Sequence, residues 1–266
     1  MSHAAPTQTL PQLLRHLTAD PGRPRLTWYG PGGERIELSG HVLDNWVSKT
    51  TNLLVEEYDV GPGSRVRLDL PPHWRAVVWA LAVWRAGGCV VILEDDAPTT
   101  ADLVVTHRPA GPAVPPGVDV VAVALPALAR RFDGELPAGA VDAAAAVMTY
   151  GDQLGWVPPA DDAADALEQA TGTVTHGGLL TWAAAGATRA APSSPSADDE
   201  RDQPAPRVLL EPLPGPHGLA AVLACTLRTY AVDGSVVLSS PEMAAELAAD
   251  PSRRSRIASD ERVTDS

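Results

Sequence analysis

The run Cys89-Val90-Val91-Ile92-Leu93 is wholly apolar and ends in Glu94-Asp95-Asp96. Five apolar residues without alternation bury both faces of a strand, which calls for parallel neighbours with helices layered on each side. The preceding residues supply such a neighbour and its crossover. Ser64–Leu70 (SRVRLDL) alternates with period two, as a strand does. Pro71-Pro72 then opens a helix from about His73 to Ala86, and Gly87-Gly88 terminates it. Strand, helix and apolar strand within about thirty residues make a β-α-β unit. The chain is therefore expected to be a layered α/β protein with a mostly parallel sheet.

The flanking segments extend this pattern. Apolar residues at 10, 13, 14 and 17 put a helical face on Leu10–Ala19, which Pro21-Gly22 stops. Arg25–Tyr29, a Gly30–Gly33 turn and Glu34–Leu38 read as a hairpin. Ser39 reads as the N-cap of a helix running to about Tyr58. Asp102–Thr106 and Val118–Ala124 are expected strands, and Leu125–Arg131 a short helix starting at Pro126. Asp161–Ala170 and Gly178–Ala190 are expected helices, and Asp142–Met148 is too alanine-rich to assign. Arg207–Leu210 and Ser235–Ser239 read as strands around a helix at about Leu219–Thr229. The division implied is a flexible N-terminus over 1–9, one α/β domain over 10–250, and a disordered tail over 251–266. Residues 191–206, without apolar periodicity, read as an acidic Pro/Ser connector inside that domain.

Composition excludes several functions. A net charge of −13 disfavours binding to nucleic acid or anionic lipid. Arg85, and Arg228 with Asp233, interrupt the two most apolar windows, so no membrane span is expected. Met1–Leu10 lacks the basic head and apolar run of a secretory signal, so a cytoplasmic location is expected. Cys89 and Cys225 stand alone in apolar stretches and read as buried free thiols. Trp74, Trp79 and Trp84 step about 140° around one helix. They cannot share a stripe, so at least one is expected to face a groove or partner, with packing inside the layered domain as the default.

Several segments, in order, resemble the large N-terminal domain of the adenylate-forming (AMP-binding) enzymes. Val60–Val66 resembles that family's "G-V-G-P-G-D-R-V", Pro71-Pro72 its "P-N" start, and Gly87–Asp95 its "A-G-x-x-x-V-P-L-D". Thr175–Ala184 (THGGLLTWAA) resembles the "T-H-x-N-L-L" that follows the family's phosphate loop. Residues 207–242 resemble a strand, "P-L-F-H-x-x-G", a helix and a "G-x-x-V-V-L" strand. The likeness runs from about Leu10 to Glu242 and is most specific in its first third. It implies a truncated adenylate-forming N-terminal domain, with ATP or AMP and Mg²⁺ as the cofactors to test.

The same resemblance shows which catalytic parts are replaced. The family's "T-S-G-T-T-G-x-P-K-G" loop holds phosphates with amides, hydroxyls and a lysine. Here Met148-Thr149-Tyr150-Gly151, a divergent stretch, and Ala170-Thr171-Gly172-Thr173 stand in its place, with Thr171 where the lysine would fall. Lys49 is the chain's only lysine, and it lies on an early helix. The family's magnesium- and ribose-binding segments would follow Glu242, close to where this sequence stops. Thr149, Gly151, Thr171, Gly172, Thr173 and Thr175 are the candidate ligand-binding relics, equally readable as turn and cap residues. His217 joins them, although it falls two residues late for the family's pocket histidine and also fits a plain turn.

Other motifs carry less. Glu94-Asp95-Asp96 offers hard oxygens for a divalent cation but lacks spaced partners, and reads better as an acidic loop capping a helix after Pro98. His41, His73, His107 and His176 are scattered, so no metal site is expected and no catalytic residue is assigned. The leading expectation is a degenerate adenylate-forming-like domain without adenylation activity of its own, acting as scaffold or regulatory partner. The alternatives are a nucleotide- or acyl-adenylate-binding module, and an enzyme half completed by a partner chain. A protein partner or a homo-oligomer is implied by the truncated sheet.

Overall fold

A computed structural model describes residues 9–95, 97, 100–186 and 205–264. Helix α1 (Leu10–Leu17) buries its leucines at 10, 13, 14 and 17. Strands β1 (Pro24–Tyr29) and β2 (Arg35–Ser39) form the expected antiparallel hairpin, with Trp28 opposite Ile36. The Ser39 hydroxyl accepts from the Val42 amide at 3.3 Å and starts α2 (Gly40–Tyr58). Gly40 allows α1 to sit on this start, because a Cβ there would lie 2.2 Å from the Leu17 carbonyl oxygen.

The β-α-β unit follows as β3 (Arg65–Asp69), α3 (Trp74–Ala86) and β4 (Cys89–Ile92). The strands are parallel, with Val66 opposite Val90. Gly87 caps α3 in the left-handed region at φ 90°, a conformation that an L side chain resists. Trp74, Trp79 and Trp84 are all buried. Helix α3 packs against α1, α2, β1, β3 and β4, so it is covered on every side and none of the three faces solvent.

The chain continues through β5 (Leu103–Thr106), β6 (Asp119–Ala122), β7 (Val141–Asp142), α4 (Ala143–Ala146), β8 (Asp165–Gln169), β9 (Gly172–Thr175) and α5 (Leu179–Ala185). After residue 204 come β10 (Arg207–Leu210), α6 (Gly215–Ala231), β11 (Ser235–Ser239), α7 (Pro241–Ala249) and α8 (Pro251–Asp260). The larger sheet runs β7-β6-β5-β3-β4-β8-β9 and the smaller β10-β11-β1-β2. Only the β1–β2 and β8–β9 pairs are antiparallel, so the architecture is the mostly parallel α/β layering expected. Among the described residues, no helix is long and apolar enough to cross a membrane.

Three local expectations are corrected. Leu125–Arg131 forms a turn, not a helix: Arg75 takes the carbonyls of Pro126 and Ala127, and Glu34 takes the Ala127 amide. Residues 161–170 contribute strand β8 in place of a helix. Ala166 and Leu167 are fully buried there, Leu167 lies opposite Val90, and the Trp84 indole donates to the Ala166 carbonyl at 2.7 Å. The tail expected over 251–266 is helical through Asp260, capped by the Asp250 carboxylate on the Arg253 amide. Glu261 beyond it is buried. Most of the connector expected at 191–206 lies outside the described residues.

Candidate functional site

The order of the larger sheet creates one topological switch point. From β3 the chain moves through α3 to β4 on one side, whereas β5, on the other side of β3, leads away to β6. Connections that diverge in this way leave a crevice at the carboxyl ends of the strands, where ligands bind in open α/β sheets. Asp69 ends β3, and Thr106 ends β5 immediately before His107 and Arg108.

These residues form a connected cluster. The Asp69 carboxylate accepts from the Thr106 hydroxyl at 2.5 Å and from the Arg108 guanidinium. Arg108 also grips Asp95 with two bonds, Nη1 to Oδ2 at 2.9 Å and Nη2 to Oδ1 at 2.7 Å. The Arg108 hydrogen bond holds the Asp95 carboxyl below the usual carboxylate range, against a smaller opposing effect of desolvation. The same bonds, to Asp95 first and Asp69 second, push the Arg108 guanidinium upward. Arg67, buried on β3, donates to the Glu94 carbonyl at 2.7 Å and so ties down the turn after β4. Asp95 thus serves Arg108.

The start of α6 closes the far side of this crevice. Gly218 lets it press against the main chain: a Cβ there would lie 1.7 Å from the Leu213 carbonyl oxygen. Between α6 and the strand ends lie two adjoining cavities. One, about 280 Å³, is bordered by Asp69, Asp95, His107, Arg108 and Leu219. The other, about 220 Å³, is bordered by Ile92, Gln169, Thr171, His217 and Ala220. Leu93, Glu94 and Pro216 border both, so they form one cleft. It is apolar along α6 and acidic at the switch point. A larger hollow of about 690 Å³ lies at the opposite, amino ends of the strands, beside Gly87 and Asp162.

The residues singled out from sequence divide between this cleft and elsewhere. Thr171 and His217 both border the smaller cavity. Gly172 starts β9 at φ 127°, and Thr173 is exposed on the same strand. The Thr175 hydroxyl is engaged in capping, accepting from the Gly178 amide at 3.2 Å. Thr149 and Gly151 are not brought to the cleft. The Thr149 hydroxyl bonds back to the Ala146 carbonyl, and Asn52 of α2 holds the Gly151 and Gln153 carbonyls and the Gly155 amide. Lys49, one turn earlier, donates to the Tyr150 carbonyl at 2.6 Å. The single lysine therefore anchors a loop.

The hairpin explains this division. Gln169 pairs with Gly172, so Ala170 and Thr171 alone connect β8 to β9. The resemblance spreads the phosphate loop's counterpart over Met148–Gly151 and Ala170–Thr173 and puts Thr171, where the lysine would fall, in this connection; a two-residue turn has too few amides to wrap a triphosphate. Among the described residues, no three His, Cys, Asp or Glu side chains come together as a metal site.

Asp69, Thr106, Arg108 and the pairing role of Asp95 were not singled out from sequence. The signal available was positional, since each ends or follows a parallel strand.

No family model matches the chain. The TIGR03089 family protein of Mycobacterium tuberculosis is 40% identical over 145 residues, covering 52% of this chain and 58% of that protein. An acyl-CoA synthetase from Brucella canis matches with a TM-score of 0.65 at 16% identity, over 87% of this chain and 43% of its own. An acetoacetyl-CoA synthetase from Streptomyces lividans gives 0.62 at 17%, over 87% and 38%. A fatty acyl-adenylate ligase from L. pneumophila, solved with acyl adenylate and pyrophosphate, gives 0.63 at 14%, over 97% and 43%. The chain thus spans less than half of each solved enzyme. At these identities the likeness shows the fold: the chain is built as part of an acyl-CoA synthetase-like, adenylate-forming enzyme is built.

Proposed function

We propose that the chain is a ligand-binding regulatory domain that keeps the acyl end of an adenylate-forming site and does not adenylate by itself. The observation that carries this reading is the juxtaposition at β8–β9. An open cleft persists along α6, while the adjoining hairpin closes in two residues where a phosphate loop would stand. At the switch point Asp69 and Asp95 pair with the guanidinium of Arg108, and Glu94 borders the same cavity. That balance disfavours a free triphosphate and admits an apolar chain lying along α6. The similar L. pneumophila ligase holds an acyl adenylate, which makes an acyl or acyl-adenylate molecule the first class of ligand to try.

Thermal melting with an acyl-sulfamoyl adenosine, AMP and ATP·Mg²⁺ tests the reading. A ligand at 100-fold over Kd adds about 2.7 kcal/mol of stability. The expected result is a saturable shift with the acyl-adenylate analogue, together with no carboxylate-dependent pyrophosphate release. Release of pyrophosphate by the chain alone would overturn the proposal.

A further inference from the structure

The first turn of α3 places a tryptophan and an arginine, Trp74 and Arg75, inside the protein at 2% and 7% exposure. The Arg75 guanidinium lies 4.4 Å from the Trp74 ring centroid and 5.6 Å from that of Trp46. Its Nη2 donates weakly to two carbonyls, Pro126 at 3.4 Å and Ala127 at 3.2 Å. Glu34 is the acid that acts on it electrostatically. Both Glu34 oxygens are already bonded, to the Trp28 indole and the Ala127 amide. Burial pulls the guanidinium down to about 10, which leaves it charged at neutral pH. A buried cation without an ion-pair partner is costly, and proteins seldom leave one uncompensated.

Two donors at this cation are unused. Arg75 Nε and Trp74 Nε1 are both buried and have no hydrogen-bond partner among the described residues. Both residues line one cavity of about 10 Å³, room for a single water-sized particle. The hydroxyl-bearing Thr50 borders it, and the remaining wall is apolar, with no carboxylate. Unused N–H groups beside an unpaired positive charge are the complement of an acceptor that carries negative charge. A water would satisfy the donors and leave the charge.

We infer that this cavity between α2, α3 and α4 binds one small monovalent anion, chloride in size, held by Arg75 Nε and Trp74 Nε1. The site is separate from the α6 cleft, and its occupancy does not depend on what that cleft binds.

The test is the melting temperature of the whole chain in sodium chloride against sodium gluconate at equal ionic strength. A saturable rise is expected, roughly 5–10 °C at 100-fold over Kd. Bromide should replace chloride and quench tryptophan emission over the same concentration range. Arg75→Met should abolish the halide dependence and melt in gluconate at or above the wild-type temperature. Trp74→Phe keeps an aromatic six-membered ring and removes the five-membered ring with its N–H, so it should raise the half-saturating halide concentration about tenfold. If Arg75→Met fails to fold, Trp74→Phe decides. The inference is overturned if wild type shows no saturable halide dependence, or if Trp74→Phe leaves the half-saturating concentration unchanged.

Discussion

Glu261→Gln is expected to loosen the C-terminal helix from the smaller sheet. The Glu261 side chain is only 5% exposed. Its carboxylate accepts from the Tyr29 hydroxyl at 2.6 Å, Arg35 Nε at 2.8 Å and Arg207 Nη2 at 2.6 Å. Arg207 Nε also donates to the Glu261 carbonyl. Burial alone would raise the carboxyl, but the bonds from Arg35, Tyr29 and Arg207 outweigh it and hold the group at about 2. Against a reference of 4.5, that shift corresponds to about 3 kcal/mol at neutral pH. Arg35 is 43% exposed, and solvent screening reduces its part, so a loss of about 2 kcal/mol is expected. Because the folded value is depressed, this stability is present above pH 4.5 and is lost as pH falls toward 2. Urea midpoints at pH 7 should therefore drop in the variant, while the gap from wild type closes near pH 2. Hydrogen exchange should show the loss first at the amides of α8. Unchanged midpoints and unchanged α8 protection at pH 7 would refute the assignment of the helix to this carboxylate.

Three further outcomes follow from the geometry. Burial first, and the nearby Arg75 second, depress His73 to about 3; its ring should not titrate above about pH 4 by NMR. The unfolded chain takes that proton near the ordinary 6.5, so wild-type stability should decline from there toward pH 3, and less steeply in His73→Phe. Gly218→Ala drives a Cβ into the Leu213 main chain; a cost of about 2–3 kcal/mol is expected in urea unfolding, together with loss of the cleft's ligand response. Ala220→Trp, half-buried on α6 in the smaller cavity, should remove the melting shift with an acyl-adenylate analogue and leave the unliganded melting temperature within a few degrees.

The elements most legible in sequence are those whose patterns are local. The alternation of SRVRLDL, the apolar CVVIL and the caps at Ser39 and Gly87 each contain their own reason, and the structure places them as read. The acids of Asp161–Ala170 suit the first turn of a helix, whereas the segment's fate as strand β8 is decided by contacts distant in sequence. Val90 and Trp84 receive Leu167 and Ala166 across the sheet, and tertiary pairing overrides local preference. The tail is helical for the same reason. PSRRSRIASD has little apolar character, and its helix is held by ion pairs such as Arg254 with Glu211 and by Glu261. Both reach partners across the fold that no local window contains.

The candidate site is less legible still, because its position is a property of strand order. Asp69 and Arg108 are 39 residues apart, and nothing at either position signals the other. They meet because β5 returns to the side of β3 opposite β4, which sets the ends of β3 and β5 side by side. Of the residues the resemblance singles out, Thr171 and His217 border the cleft, whereas Thr149 and Gly151 do not. In sequence those two flank the same divergent stretch. In space that stretch is a loop fastened to α2 by Lys49 and Asn52, and it re-enters the sheet only at β8. A phosphate cradle depends on one continuous loop; once the hairpin closes in two residues, the residues that would have been its two ends serve different parts of the fold. What lies at the carboxyl ends of the strands is a cleft that the strand order itself builds, and a ligand should be sought there.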